Sequence, residues 1–224
     1  MKQEILNFKF KNKKDFYVNS KNLLAFNLIQ KWPNWNNQFI FLYGPKKCGK
    51  TTICNIWKEK SDAFFLSEKK IDDILSNKLN NEYLHKNNWI IDNIDELIKK
   101  KNFDEKVLNI INLIREKKKS FLLMTSNIPP KILVTSLKDL VSRISGSLVV
   151  EVCEPDNDLL CKIIEKYLKE RSIIIKKSNL EYLINRIERS YKSAVRIARF
   201  IDKKSLETHS QINYSFLKKV IEDY

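Results

Sequence analysis

The chain has 224 residues and a formal net charge of +15, from 42 lysines and arginines against 27 aspartates and glutamates; this length allows one large domain or a domain with a small appendage. Only seven of the cations are arginines and the lysines are spread over every segment, so a solvated surface is favoured over a dedicated nucleic-acid face, with weak polyanion affinity as the alternative. The four cysteines lack C-x-x-C spacing, which argues against a thiolate metal site and against disulfides and fits a cytoplasmic protein. No apolar run approaches the roughly 20 residues that span a bilayer, which argues against membrane insertion.

Short apolar runs alternate with segments of helical periodicity from Gln38 to about Val152. The runs of buried-strand type are Phe39–Tyr43, Ala63–Leu66, Trp89–Ile91, Phe121–Thr125 and Leu148–Val152. Strands that alternate with helices are typical of a parallel α/β sheet. We therefore predict an α/β domain with a parallel five-stranded sheet over residues 13–154.

Beyond Pro155 the strand signals stop and apolar stripes with helical spacing follow. The first three stripes are Leu159, Leu160, Ile163, Ile164, Tyr167 and Leu168, then Leu180, Leu183, Ile184 and Ile187, then Ala194, Ile197, Ala198 and Ile201. With a last short helix near Phe216, they predict a small C-terminal helical domain over residues 155–224. Ser178 and Glu181 have the spacing of a capping box at the start of the second helix.

Residues 44–51 read Gly-Pro-Lys-Lys-Cys-Gly-Lys-Thr, a complete G-x-x-x-x-G-K-S/T phosphate loop between a predicted strand and a predicted helix. Its glycines permit a tight turn in which consecutive backbone N–H groups point at phosphate oxygens. Lys50 would reach the β- and γ-phosphates, and the Thr51 hydroxyl would ligate Mg²⁺. A strand-to-helix turn with no ligand is the alternative. We predict ADP or ATP with Mg²⁺, held by Gly44, Pro45, Lys46, Lys47, Cys48, Gly49, Lys50, Thr51 and Thr52.

The apolar strand that starts at Trp89 ends in a carboxylate, Asp92, about 40 residues after the loop. This is the Walker B pattern, in which the aspartate shares the Mg²⁺ with Thr51. Asn93 follows, and an amide cannot accept the proton of an attacking water as a carboxylate can. Intrinsic ATP hydrolysis should therefore be weak or absent, with Asp95 as a candidate substitute base.

Asn127 follows the apolar strand Phe121–Thr125. A polar side chain at this point can lie between the Walker B aspartate and the γ-phosphate, the role called sensor 1. A strand that ends in turn residues before Pro129 and Pro130 explains the same pattern.

In this order the motifs resemble the DnaA-related branch of the AAA+ ATPases, and within it the regulatory inactivators of DnaA, the Hda family, in their alphaproteobacterial form. The resemblance runs nearly end to end, through Asp15–Val18, Lys31–Trp35, Ile91–Asp95, Thr125–Pro130, Leu140–Gly146 and Glu154–Asp156. It implies an AAA+ P-loop domain followed by a helical lid. The family and this chain also share the asparagine after the Walker B aspartate, which is Asn93 here.

The resemblance implies a role for Arg143 as an arginine finger that projects towards the γ-phosphate of a neighbouring ATPase; an ordinary surface ion pair is the alternative. Lys192 falls where the family usually has its sensor 2 arginine. A lysine lacks the bidentate fork of an arginine, which puts tight nucleotide sensing in doubt, and Arg189 and Arg196 are nearby alternatives.

The N-terminal part carries two further expectations from the resemblance. Phe16, Tyr17 and Val18 match the position where the family packs the adenine base. Residues 3–8 fit Q-x-x-L-x-F, similar to the peptide by which such proteins dock on the sliding clamp, and we assign residues 1–12 to it. Gln3 would hydrogen-bond at the rim while Leu6 and Phe8 fill an apolar pocket. An amphipathic edge strand is the alternative.

The function implied is that of a replication-initiation regulator that docks on the DNA-loaded sliding clamp, the β subunit of DNA polymerase III. There it would promote ATP hydrolysis on DnaA by supplying Arg143, and it would reach DNA indirectly through the clamp. A homodimer is also compatible with this function. A nucleotide-stabilised adaptor that recruits a partner without stimulating hydrolysis is the alternative. A small-molecule phosphotransferase is disfavoured, since no acceptor site is evident. Because the chain ends where the lid should end, we expect no helix-turn-helix domain.

Overall fold

The computed structural model describes residues 18–76, 87–117, 119–208 and 210–224. In chain order its elements are α1 (Leu23–Gln30), β1 (Phe39–Tyr43), α2 (Lys50–Ser61), β2 (Phe64–Phe65), α3 (Glu68–Leu75), β3 (Asn88–Ile91), α4 (Ile94–Leu97), α5 (Phe103–Glu116), β4 (Phe121–Ser126), a 3₁₀ turn (Pro130–Ile132), α6 (Lys138–Ser145), β5 (Leu148–Glu151), α7 (Asn157–Lys169), α8 (Lys177–Ile184), α9 (Tyr191–Thr208) and α10 (Tyr214–Glu222). Within these ranges no helix is both long and apolar enough to cross a membrane.

The five strands form one parallel sheet in the order β2-β3-β4-β1-β5, which confirms the predicted fold class. The register pairs Tyr43 at the end of β1 with Ser126 at the end of β4. In a parallel sheet the carboxyl ends of all strands meet at one edge, where ligands bind in open α/β folds. The segments after β3, β4 and β1 therefore lie side by side at that edge.

Strand β1, which lies between β4 and β5 in the sheet, is buried on both faces, and this explains its continuous apolar sequence. Phe39 and Phe41 pack in a cluster with α3, α5 and α6, whereas Ile40 and Leu42 pack in a second cluster with α1 and α2. Side chains of a strand alternate between faces, so a five-residue run supplies both cores.

Residues 155–224 contain α7–α10, whose apolar faces form a third cluster. Leu160, Ile164, Leu183 and Ile197 are completely or almost completely buried in it. The spacing of three and four residues within the predicted stripes places these side chains on one face of each helix.

The start of α8 differs from the predicted capping box. Lys176 is extended and precedes the first helical residue, and its own side chain makes no capping hydrogen bond. Ser178 is therefore already the second helical residue, where its hydroxyl cannot take the N-cap position. By contrast, Asp156 does cap α7, since its carboxylate accepts a hydrogen bond from the Leu159 N–H at 2.8 Å.

Candidate phosphate-binding site

The phosphate loop is packed closely against the end of the sheet. Gly44 donates its N–H to the carbonyl of Ser126 at 3.2 Å. A Cβ atom at position 44 would lie 2.0 Å from the carbonyl oxygen of Val152, so only glycine fits. Gly49 has φ 108° and forms the N-cap of α2, a conformation that glycine adopts without strain. Glycine is thus required at position 44 because a Cβ atom has no room there, and it is favoured at position 49 because φ is positive.

The side chain of Lys50 turns back onto the loop that precedes it. Lys50 is 5% exposed, and its Nζ donates to the carbonyl oxygens of Gly44 at 2.7 Å and Pro45 at 2.8 Å. A third, longer contact of 3.3 Å reaches Oδ1 of Asn127. The ammonium group is therefore held between the loop and the end of β4.

Thr51 and Asp92 meet at the base of the site. The Thr51 hydroxyl donates to Oδ2 of Asp92 at 2.8 Å. The Thr125 hydroxyl donates to the other carboxylate oxygen and accepts the N–H of Asn93 at 2.9 Å. Adjacent β3 and β4 thus orient the Asp92 carboxylate towards the first turn of α2.

A hydroxyl and a carboxylate oxygen are the ligands that Mg²⁺ prefers, and Mg²⁺ usually takes its remaining ligands from phosphates and water. Thr51 and Asp92 fit that pattern. The described part of the chain holds no group of three or more His, Cys, Asp and Glu side chains that could bind a metal by itself. A Mg²⁺ at this edge would therefore need the phosphates of a nucleotide.

Asp95 is a site residue whose main role was missed by the sequence analysis. It is 5% exposed; its Oδ1 accepts the backbone N–H of Asn127 at 3.1 Å and its Oδ2 accepts the Asn127 side-chain amide at 2.9 Å. Both oxygens are thus engaged in positioning Asn127. A second aspartate three residues after Asp92 is the signal that could have indicated this contact.

A cleft of about 410 Å³ opens above these groups. It is lined by Lys46, Lys47, Gly49, Lys50, Thr51, Thr52, Asn93, Glu96, Asn127, Tyr191 and Lys192. Asn93, Glu96 and Tyr191 were not among the predicted ligands. Cys48 is buried beneath the loop, and burial raises the pKa of its thiol, so it stays protonated near neutral pH.

Each of the two exposed loop lysines pairs with a carboxylate. Nζ of Lys46 lies 3.0 Å from Oε1 of Glu96 in α4. Lys47, which has a left-handed backbone with φ 68°, pairs with Glu188 from the segment between α8 and α9. The first pair stays within the α/β part, whereas the second joins the loop to the helical part.

The helical part contributes the first turn of α9 to the cleft. Tyr191 and Lys192 line it, and the Ser190 hydroxyl accepts the N–H of Ser193 at 3.0 Å. The N-terminus of a helix carries a partial positive charge that favours anions. Lys192 adds a full charge at the same place.

The two alternative arginines have other partners. Arg189 donates to the carbonyl of Pro155 at 3.4 Å. Arg196 donates from Nε to the Tyr224 hydroxyl at 2.7 Å, with its guanidinium over the Tyr224 ring. Among the three candidates for the sensor 2 position, Lys192 is thus the one whose side chain lines the cleft.

Arg143 lies in α6 and does not line the cleft. Its Nε is 3.2 Å from Oδ1 of Asp139, one turn earlier, and its side chain is 31% exposed. The glycine beside it, Gly146, has φ −77° and ends α6. A Cβ atom there would meet nothing closer than 3.6 Å, so the glycine is not required by the fold.

Several predicted residues lie outside the described part of the chain: Gln3, Leu6, Phe8, Phe16 and Tyr17. Val18 is described; it is half-buried and packs against the cluster that contains Cys48 and Val152. It is not among the side chains that line the cleft.

No protein-family model matches the chain. It is similar to the chromosomal replication initiator protein DnaA of Borreliella afzelii, with 26% identity over 229 aligned positions that cover 92% of this chain and 47% of that protein. The chain thus spans about half the length of the curated relatives of this kind.

Solved structures of DnaA proteins have the same fold as this chain. Domain III of DnaA from Thermotoga maritima superposes with a TM-score of 0.75 at 19% identity, covering 93% of this chain and 94% of that one. AMPPCP-bound DnaA from Aquifex aeolicus gives 0.72 at 23% identity, covering 86% and 65%. These similarities confirm the expected DnaA-related AAA+ fold, while the narrower resemblance to the Hda family stays a prediction.

Proposed function

Because the chain is homologous to the DnaA initiators and has the AAA+ fold of their domain III, we propose that it is a nucleotide-binding regulator of replication initiation that acts on DnaA. The observation that carries the proposal is the convergence of Lys50, Asn127, Thr51 and Asp92 at the carboxyl edge of the sheet. That arrangement supports binding of a nucleoside di- or triphosphate in a chain related to an initiator.

Nucleotide binding would use the cleft between the loop and α9. The backbone N–H groups of the loop, the Lys50 ammonium and the N-terminus of α2 would hold the phosphates. Thr51 and Asp92 would hold Mg²⁺, which supplies charge neutralisation between the β- and γ-phosphates. Lys192 adds charge from the opposite wall. A solved DnaA relative that carries AMPPCP supports this assignment.

Hydrolysis by the chain itself is proposed to be weak. The side chain at the position after Asp92 is an amide, Asn93, which lines the cleft and cannot accept a proton from water. The nearest alternative, Asp95, has both oxygens engaged by Asn127. The nucleotide would then serve mainly to set the angle between the α/β part and the lid.

Arg143 is the proposed catalytic contribution to a partner. It lies outside the chain's own cleft, and its guanidinium pairs with an exposed carboxylate, that of Asp139. Such a pair is weak enough to be exchanged for the phosphates of a bound nucleotide. In trans, a guanidinium at the γ-phosphate stabilises the charge of the transition state.

The proposed place of action is the sliding clamp in the cytoplasm. Gln3, Leu6 and Phe8 would dock on the DNA-loaded clamp, the β subunit of DNA polymerase III, so that DNA is reached indirectly. Adenine would pack on Phe16, Tyr17 and Val18. In this arrangement DnaA is the partner whose ATP is hydrolysed, and a homodimer remains compatible with the same finger surface.

The test is ATP turnover by DnaA in the presence of this protein and the DNA-loaded clamp. Arg143→Ala should lower the stimulation by about 10³-fold or to background, while it preserves folding and clamp binding. Lys138→Ala, an exposed residue on the same helix, is the matched control and should stimulate as the unmodified protein does. Undiminished stimulation by Arg143→Ala would exclude the finger role.

A nucleotide-stabilised adaptor is the second candidate, and the Arg143–Asp139 ion pair favours it, because such i,i+4 pairs are common on helix surfaces. An adaptor would bind DnaA and the clamp in pull-down experiments but leave the rate of DnaA ATP hydrolysis unchanged. Omission of the clamp, the DNA and this protein one at a time distinguishes the two candidates.

A further inference from the structure

We propose that the Lys47–Glu188 ion pair is a latch between the phosphate loop and the lid, and that a phosphate group bound at the loop opens it by taking over Lys47. While the latch is closed, Glu188 acts as a positioning residue for the first turn of α9. The latch itself is independent of the proposed function, whereas its opening rests on phosphate binding at this loop.

The two partners are attached to the two walls of the cleft. Lys47 belongs to the loop, lines the cleft and pairs with Glu188. The Glu188 carbonyl accepts the N–H of Ser190 at 2.8 Å, and the Ser190 hydroxyl caps α9. A movement of Glu188 therefore shifts the beginning of α9, and with it Lys192, which lines the cleft.

The other end of the lid is held by different contacts. The side-chain amide of Asn19 donates to both oxygens of Asp156 at 3.3 Å, and Asp156 caps α7. Within the helical part, Arg189, the neighbour of Glu188, donates to the carbonyl of Pro155 at 3.4 Å. The lid is thus anchored where the chain enters it, and the latch joins it to the α/β part across the cleft. Loss of the latch leaves the anchored end in place.

The exposure of the pair makes it reversible. The side chains of Lys47 and Glu188 are 56% and 55% exposed, and an exposed ion pair shifts an equilibrium by about five-fold at most. Phosphate oxygens next to the loop compete for the same ammonium group. The Glu188 carboxylate, left without its partner, faces the negative charge of the ligand and is repelled from the loop.

The first experiment is hydrogen exchange of the backbone amides of residues 190–194 in the protein without nucleotide. Glu188→Gln and Lys47→Gln should each raise exchange about two- to five-fold. The exchanged pair, Lys47→Glu with Glu188→Lys, should restore protection. Glu181→Gln, an exposed lid acid outside the cleft, should leave it unchanged. Equal protection in all variants would overturn the latch.

The second experiment measures Mg-ADP affinity by calorimetry at low salt. Glu188→Gln should bind about two- to five-fold more tightly, because a competing carboxylate is gone, and Lys47→Gln more weakly by a similar factor. In the unmodified protein, Mg-ADP should raise exchange at residues 190–194; in Glu188→Gln it should not. A merely structural contact would shift both affinities in the same direction, which would overturn the opening step.

Failure of the proposed function gives a different result from failure of the latch. If the unmodified protein does not bind Mg-ADP, nucleotide binding is wrong, but the exchange of the free variants still tests the latch. If Mg-ADP binds and the free variants exchange as the unmodified protein does, the latch alone is wrong.

Discussion

Asp95 accepts two hydrogen bonds from Asn127, one from its backbone at 3.1 Å and one from its side-chain amide at 2.9 Å. This relationship fixes the position of the asparagine that contacts Lys50. Because Asp95 is almost completely buried, its carboxylate depends on those two donors for hydrogen bonding.

Asp95→Asn should destabilise the protein. The substitution preserves the side-chain volume but replaces one carboxylate oxygen with an NH₂ group. That NH₂ group would face an N–H donor of Asn127, so a buried donor would lose its acceptor. The free energy of unfolding should fall by about 1–3 kcal/mol in urea titrations. Glu116→Gln on the exposed end of α5 is the control and should change it by less than about 0.5 kcal/mol. An unchanged midpoint for Asp95→Asn would contradict the positioning role.

Sequence and structure agree best where short-range chemistry decides the outcome. The strands were predictable because buried parallel strands are continuous apolar runs, and the loop because Gly44 has no room for a Cβ atom. The second aspartate, Asp95, was a signal for the contact with Asn127, but the sequence pattern alone did not show that β3 and β4 are neighbours. The Lys47–Glu188 pair joins residues 141 positions apart, and its formation depends on how the helical part packs against the α/β part.

Gly44→Ala should destabilise the protein much more than Gly146→Ala does. At position 44 the new Cβ would lie 2.0 Å from a backbone oxygen, so the loop must shift; we expect a loss of at least about 2 kcal/mol in unfolding free energy and weaker nucleotide binding. At position 146 nothing lies within 3.6 Å and φ is negative, so stability should change by no more than about 1 kcal/mol. Thermal unfolding with and without Mg-ADP measures both effects.

Thr51→Val should weaken the Mg²⁺ dependence of nucleotide binding. Valine preserves the shape of threonine but lacks the hydroxyl that lies 2.8 Å from Asp92, so one proposed metal ligand is lost. In the unmodified protein, the affinity for ADP should be higher with Mg²⁺ than with EDTA. In Thr51→Val the difference between the two affinities should be smaller, as calorimetry can measure. An undiminished Mg²⁺ effect would exclude Thr51 as a ligand.

Single-turnover ATP hydrolysis by the purified protein should be slow, because Asn93 cannot act as a base. Asn93→Glu should raise the rate, although Asn93 has φ 55° and a glutamate in that conformation costs about 1–2 kcal/mol of stability. A rate in the unmodified protein equal to that of active motor ATPases would contradict the expectation. Parallel measurement with Lys50→Ala shows how much of any turnover belongs to this site.

The pH dependence of stability should carry a contribution from Cys54. Its side chain is completely buried, and burial raises the pKa of the thiol well above its usual value. The folded protein therefore keeps the proton where the unfolded chain loses it. The contribution is fully present below the unfolded thiol pKa of about 8.5 and is lost as pH rises towards the folded pKa, by at most about 1.4 kcal/mol per pH unit. Urea titrations at pH 7 and pH 9.5 should show a smaller decrease for Cys54→Ala than for the unmodified protein. Equal decreases would show that the Cys54 thiol does not contribute.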